Sequence, residues 1–195
     1  MRLFFDTEFT GLHKNTTLIS LGIIAENNKC FYAIFTDYDT KQVDGWIEEH
    51  VLSNLKLPKK LTKKFDITEV TGTKVEVKEA LLKWLDSLNS DYFEMVSDVC
   101  HYDMVLFIDI FGTAFDLPKS ICPACWDINQ DLCYSDDIRL AEVFDLNRED
   151  LLKRMTEQSY DEVYYGMQYI LSMNEECKHN ALWDAIVIKG IYSLM

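Results

Sequence analysis

Residues Phe4-Phe5-Asp6-Thr7-Glu8-Phe9 decide how this chain is read. A short apolar strand over residues 2–5 ends in two acids one residue apart. Side chains at i and i+2 of an extended backbone point to the same face. Asp6 and Glu8 therefore project together, and Thr7 turns away. Two carboxylates held side by side repel each other, and a divalent cation satisfies both.

Outward from this stretch, residues 17–25 form a second strand rich in β-branched and large apolar side chains, 26–29 a turn and 30–35 a third strand. The first three strands then make an antiparallel meander. Helical spacing predicts a short helix over 43–52 and an amphipathic helix over 74–88, whose apolar positions are Val77, Leu81, Trp84, Leu85 and Leu88. A buried strand over 93–99 runs on through Cys100, His101 and Tyr102 into Asp103, with a helix over 104–111. Residues 115–135 read as irregular, and helices are expected at 138–144, 148–158, 160–171 and 180–194. A meander followed by alternating helices and strands predicts an α/β fold, a mixed sheet with helices on both faces.

The 195 residues, 48% of them hydrophobic, suit one domain spanning 1–195, with no repeat or linker to divide it. No apolar run reaches the roughly 18 residues of a membrane span. No basic, signal-like segment precedes Asp6, so a soluble cytoplasmic protein is expected. Six cysteines in such a protein read as thiols. Cys122-Pro-Ala-Cys125, with Cys133 close behind, leaves a zinc site open as the alternative. The net charge of −14 argues against broad, non-specific binding to nucleic acid. A metal-dependent enzyme still acts on phosphates, because its ions invert the local charge. Lys56, Lys59, Lys60, Lys63 and Lys64 form a basic exception, either a solvated loop or a phosphate-contacting edge.

A second acid is expected where the 93–99 strand ends, since ligands in open α/β sheets gather at strand ends. Asp103 is preferred over Asp98, which lies in or at the edge of the strand, and over Asp109, which lies too deep in the following helix. The third element is His179-Asn180-Ala181-Leu182-Trp183-Asp184. Residues five apart on one helix are turned about 140° from each other. If His179 precedes the helix and Asp184 lies in its second turn, the histidine can swing to the same site, a placement that Asn180 as N-cap supports. Ala181 and Ala185 permit close packing on one side of that helix. Four acids and a histidine make chemical sense together. Two divalent ions roughly 3.5–4 Å apart clamp the attacking and leaving oxygens of a phosphodiester. Carboxylate oxygens suit Mg²⁺ or Mn²⁺, and an imidazole titrating near neutrality takes a proton from water. Nothing in the sequence suggests a covalent nucleophile, a Gly-rich phosphate loop or an organic cofactor.

Asp6-Thr7-Glu8, Tyr102-Asp103 and His179-x-Ala181-x-x-Asp184, in this order, resemble the three motifs of the DEDDh exonucleases of the ribonuclease H-like superfamily. The middle motif departs from the frequent Asn-x-x-Phe-Asp form. Leu18-Ile19-Ser20-Leu21-Gly22 and Trp46-Ile47-x-x-His50-Val51-Leu52 narrow the resemblance to a compact bacterial 3′-5′ exoribonuclease family. The resemblance implies a ribonuclease H-like mixed sheet. It also implies that Asp6, Glu8, Asp103 and Asp184 hold two Mg²⁺ or Mn²⁺ ions, that His179 is the general base, and that 5′-monophosphates leave one at a time from an RNA 3′ end. Phe9, Thr10 and Leu12 fall where relatives hold the terminal nucleotide, and Lys59 and Lys60 are the further substrate candidates. A homodimer is the implied assembly. The same site acting on DNA, and a silent nucleic-acid-binding adaptor of this fold, are the alternatives, although all five catalytic residue types are present.

Overall fold

The structure, a computed structural model, describes residues 1–134, 146–158 and 177–195. Its sheet has six strands in the order β4-β3-β2-β1-β5-β6. These are β1 (Arg2–Phe9), β2 (Leu18–Ala25), β3 (Lys29–Phe35), β4 (Asp66–Gly72), β5 (Phe93–Ser97) and β6 (Ile121–Asp127). The β1, β2 and β3 meander is antiparallel, while β4 beside β3, β5 beside β1 and β6 beside β5 are parallel. The helices are α1 (Gly45–His50), α2 (Lys59–Lys64), α3 (Lys74–Ser87), α4 (His101–Phe111), α5 (Ile128–Cys133), α6 (Arg148–Gln158) and α7 (Ala181–Leu194). The mixed α/β arrangement expected from the sequence is the one observed. The helices expected at 138–144 and 160–171 lie outside the described residues.

Alternation along β1 divides the core in two. Leu3 and Phe5 face α3 and α4, packing with Leu81, Trp84 and Phe107. Phe4 faces α7, packing with Ala181, Ala185 and Ile188. Every residue of β2 is buried, as expected of a central strand covered on both sides. Each Leu or Ile buried there contributes about 1.5–3 kcal/mol.

Four local expectations need correction. β1 continues to Phe9, because its ladder with β2 extends to the pair Phe9–Leu18, so Asp6 and Glu8 lie inside the strand. α4 begins at His101, which puts Asp103 in its first turn instead of before it. Residues 121–127 form the edge strand β6, and its register shift against β5 falls around Pro123, which has no N–H to donate. Lys59, Lys60, Lys63 and Lys64 of the lysine cluster belong to a helix, α2, anchored by the buried Leu61, and only Lys56 lies in the loop before it. β4, which the sequence reading left unassigned, is an edge strand whose mostly exposed side chains give no clear hydrophobic pattern.

Candidate active site

The pairing of β1 explains how its two faces are used. Its parallel partner β5 reaches only as far as Phe4, opposite Val96. Beyond that point the β5-side edge of β1 is unpaired, and the Thr7 N–H donates to Asp103 Oδ1 at 3.0 Å. The Thr7 hydroxyl donates to the same oxygen at 2.5 Å. Thr7 thus reaches toward α4, while Asp6 and Glu8 point to the opposite face, where α7 lies.

α7 comes close enough to complete the site because of Gly22. Gly22 is the register partner of Asp6. A Cβ at residue 22 would lie 2.2 Å from the Leu182 nitrogen and 2.3 Å from the Ala181 carbonyl carbon. The first turn of α7 therefore rests on bare backbone beside Asp6. Asn180 fixes that turn, since its Oδ1 accepts from the N–H groups of Leu182 and Trp183. Its Nδ2 donates to Tyr32 Oη at 3.0 Å and to the Asn54 carbonyl at 2.9 Å. His179 precedes this cap with φ 59°, a left-handed conformation that turns it off the helix axis. Its ring meets the edges of Trp46 and His50, which stack on each other 4.8 Å apart.

The result is an open cleft of about 340 Å³, lined in part by Asp6, Glu8, Phe9, Asp98, His179 and Asp184. Asp6, Glu8 and Asp184 each offer a carboxylate oxygen, and these oxygens lie within 4.8 Å of one another. Among the described residues this is the one group of three or more His, Cys, Asp or Glu so arranged. Cys122, Cys125 and Cys133 form no such group, which removes the basis for a zinc site there; the Cys125 thiol instead donates to the Trp126 carbonyl at 3.7 Å.

Burial first, then repulsion from Asp103, Asp184 and Glu8, pushes the Asp6 carboxyl well above its ordinary range. Burial and then Glu8 and Glu149 do the same to Asp184. Burial and Asp103 push Glu8 up to about 7. Asp103, only 6% exposed, rises to about 6 through burial, opposed by its bonds from Thr7. Acids that resist ionisation this strongly form a charge well that a divalent cation fits. His179 is shifted the other way, lowered by burial and by Lys178 and His50.

The remaining candidates are dispersed. Phe9 lines the cleft and stacks on Tyr102 with ring centroids 5.4 Å apart. Thr10 is buried, its hydroxyl donating to Gln42 Oε1 and accepting from the Thr17 N–H, and Leu12 projects into solvent at 79% exposure. Neither Thr10 nor Leu12 lines the cleft, and nor do Lys59 and Lys60. Asp109 pairs with Lys74 on the surface. Five cleft residues escaped sequence reasoning: Asn147, Arg148, Glu149, Lys178 and Ile188. Lys178 beside the third motif was the one available signal.

No family model matches the chain. It is 28% identical over 121 residues to proteins named 3′-5′ exoribonuclease from two strains of Mycobacterium tuberculosis, covering 62% of this chain and 67% of each relative. A solved structure described as "3′-end specific recognition of histone mRNA stem-loop by 3′-exonuclease" superposes on 99% of the chain with a TM-score of 0.57 at 12% identity. This is a 3′-exonuclease fold. The chain spans 63% of that solved exonuclease. The sequence similarity is to 3′-5′ exoribonucleases, and the shared architecture is that of a 3′-exonuclease.

Proposed function

We propose that this chain is a divalent-metal-dependent 3′-5′ exoribonuclease that releases nucleoside 5′-monophosphates from RNA 3′ ends. The observation that carries the reading is the Asp6, Glu8 and Asp184 cluster, whose oxygens lie within 4.8 Å of one another in a cleft that His179 also lines. These three acids would hold Mg²⁺ or Mn²⁺; Asp103 lies outside that cluster but close enough to raise the pKa of Asp6 and Glu8, and would be the fourth acid of a two-ion site. Such ions supply Lewis-acid stabilisation of charge on the phosphoryl group and a more acidic water.

The chain's own groups do the rest. A lowered pKa keeps His179 neutral at pH 7 and ready to accept the proton of the attacking water. The water oxygen bonds to the scissile phosphorus and the P–O3′ bond breaks. The terminal nucleotide leaves with a 5′-phosphate, and the 3′-oxygen of the shortened strand takes a proton from solvent to become a hydroxyl. Phe9 offers a ring face to the terminal nucleoside. The Trp46–His50 stack holds His179 from behind, and the exposed lysines of α2 contact phosphates upstream. The names of the similar proteins favour RNA over DNA.

The test incubates purified protein with 5′-labelled RNA and DNA of equal sequence in Mg²⁺, Mn²⁺ or chelator. The proposal predicts a ladder shortening from the RNA 3′ end with either metal and none with chelator. Intact RNA under all conditions contradicts it, and a ladder on DNA alone would reassign the substrate.

A further inference from the structure

A part-buried polar clasp sits on the cleft wall. Arg148 Nε donates to Asp98 Oδ2, and Nη2 donates to Asp98 Oδ1 at 3.0 Å and to Asn129 Oδ1 at 2.6 Å. Asn129, only 5% exposed, passes the connection on through Nδ2, which donates to Asp98 Oδ1 at 2.5 Å and to Asp127 Oδ1 at 2.7 Å. Asp127 accepts from the backbone N–H groups of Val99 and Cys100 at 3.3 and 3.4 Å. Four segments meet here: the β5–α4 junction, the end of β6, the start of α5 and the start of α6.

At the centre is a strained turn. Val99 has φ 50°, a left-handed conformation that β-branched residues avoid. Such a residue persists only where its surroundings over-determine it, and the Asp127 carboxylate, oriented through Asn129, Asp98 and Arg148, does so. α4 begins two residues later and delivers Asp103 to Thr7, the residue between Asp6 and Glu8. On the other side of the clasp, Glu149 follows Arg148 into the cleft and accepts from Trp183 Nε1 at 3.4 Å, next to Asp184.

We infer that Arg148 is a positioning residue for the hydrolysis: by clamping Asp98 and Asn129 it holds the Val99 turn, and so seats Asp103 on Thr7, the residue between the β1 carboxylates. The inference also gives Asp98 a role distinct from metal ligation, since both its oxygens are engaged in the clasp. It rests on the proposed exonuclease reading only for its kinetic consequence.

The experiment compares wild type, Arg148→Met, Arg148→Lys and Arg148→Met with Val99→Asn. Amide exchange is measured on metal-free protein by NMR. Arg148→Met is expected to speed exchange at Thr7 and Cys100 by about tenfold or more while Ile23, in the centre of β2, keeps its wild-type rate. Cleavage by Arg148→Met falls on the order of 10²-fold in kcat with KM for RNA little changed. Arg148→Lys recovers part of the loss. Val99→Asn recovers part as well, because Asn accepts the left-handed conformation unaided. Wild-type exchange at Thr7 and Cys100, or equal acceleration at Ile23, overturns the inference. If the wild type cuts no RNA, the exonuclease reading fails while the exchange data still decide on the clasp.

Discussion

Burial, and then repulsion from neighbouring acids, makes Asp6, Glu8 and Asp184 hard to ionise. In the metal-free protein their folded-state pKa values lie above those of the unfolded chain, with Glu8 at about 7. The folded state therefore binds more protons than the unfolded state between roughly pH 4 and 7, and the stability these acids confer falls as pH rises through that window. A cation replaces the protons, so the Tm gained on adding Mg²⁺ should be larger at pH 8 than at pH 5, and thermal melts with and without Mg²⁺ check it. Equal gains at the two pH values would remove the cation from these carboxylates. His179 contributes chemistry and not ligation in this account. His179→Ala should lower kcat by about 10²–10⁴ and leave the calorimetric affinity for Mn²⁺ unchanged. At this scale much of the arrangement was legible in the sequence, because i,i+2 spacing on a strand dictates a shared face for Asp6 and Glu8. The displacement of His179 from the helix also followed from helical period and the Asn180 cap. Glu149 and Arg148 were not legible, since a buried acid or base on a polar helix looks like a solvated one until the tertiary fold covers it.

The decisive contact between elements is α7 on β2. Its closeness depends on Gly22, where a side chain would strike the backbone of Ala181 and Leu182 and not the movable end of a side chain. Gly22→Ala should cost about 1–3 kcal/mol by overpacking and should cut kcat more than tenfold, because it lifts the Asp184 turn away from Asp6. Chemical denaturation and single-turnover cleavage measure the two effects separately. The small residues Ala181 and Ala185 hinted at this approach from the helix side, but the matching glycine on the strand gained its meaning only from the register. The two edge strands were missed for related reasons. β4 is mostly exposed and lacks a buried-strand pattern, and β6 carries Pro123 and two cysteines that mimic an irregular, metal-binding loop.

Over the whole molecule, an acidic chain must manage an acidic polymer. With a net charge of −14, long-range repulsion opposes RNA everywhere except at local basic surface and at a cation-loaded cleft. The exposed lysines of α2 are such a surface. Replacing Lys56, Lys59, Lys60 and Lys63 with Gln should weaken RNA binding and flatten the dependence of log Kd on log salt by about one unit per lost phosphate contact, read by fluorescence anisotropy across a salt series. An unchanged slope would leave them as ordinary solvated side chains. No helix among the described residues is long and apolar enough to cross a membrane. The broad architecture was legible because the meander and the 3.6-residue patterns of α3 and α7 are strong local signals, whereas the meeting of Asp6 and Glu8 with Asp184 is a long-range arrangement that only motif order suggested. The central claim is that this convergence creates a cation site. Its most direct test is a crystal soaked in Mn²⁺ and measured at the manganese absorption edge. The account predicts an anomalous peak within coordination distance of the Asp6, Glu8 and Asp184 carboxylates, and a cleft without that peak at saturating Mn²⁺ contradicts it.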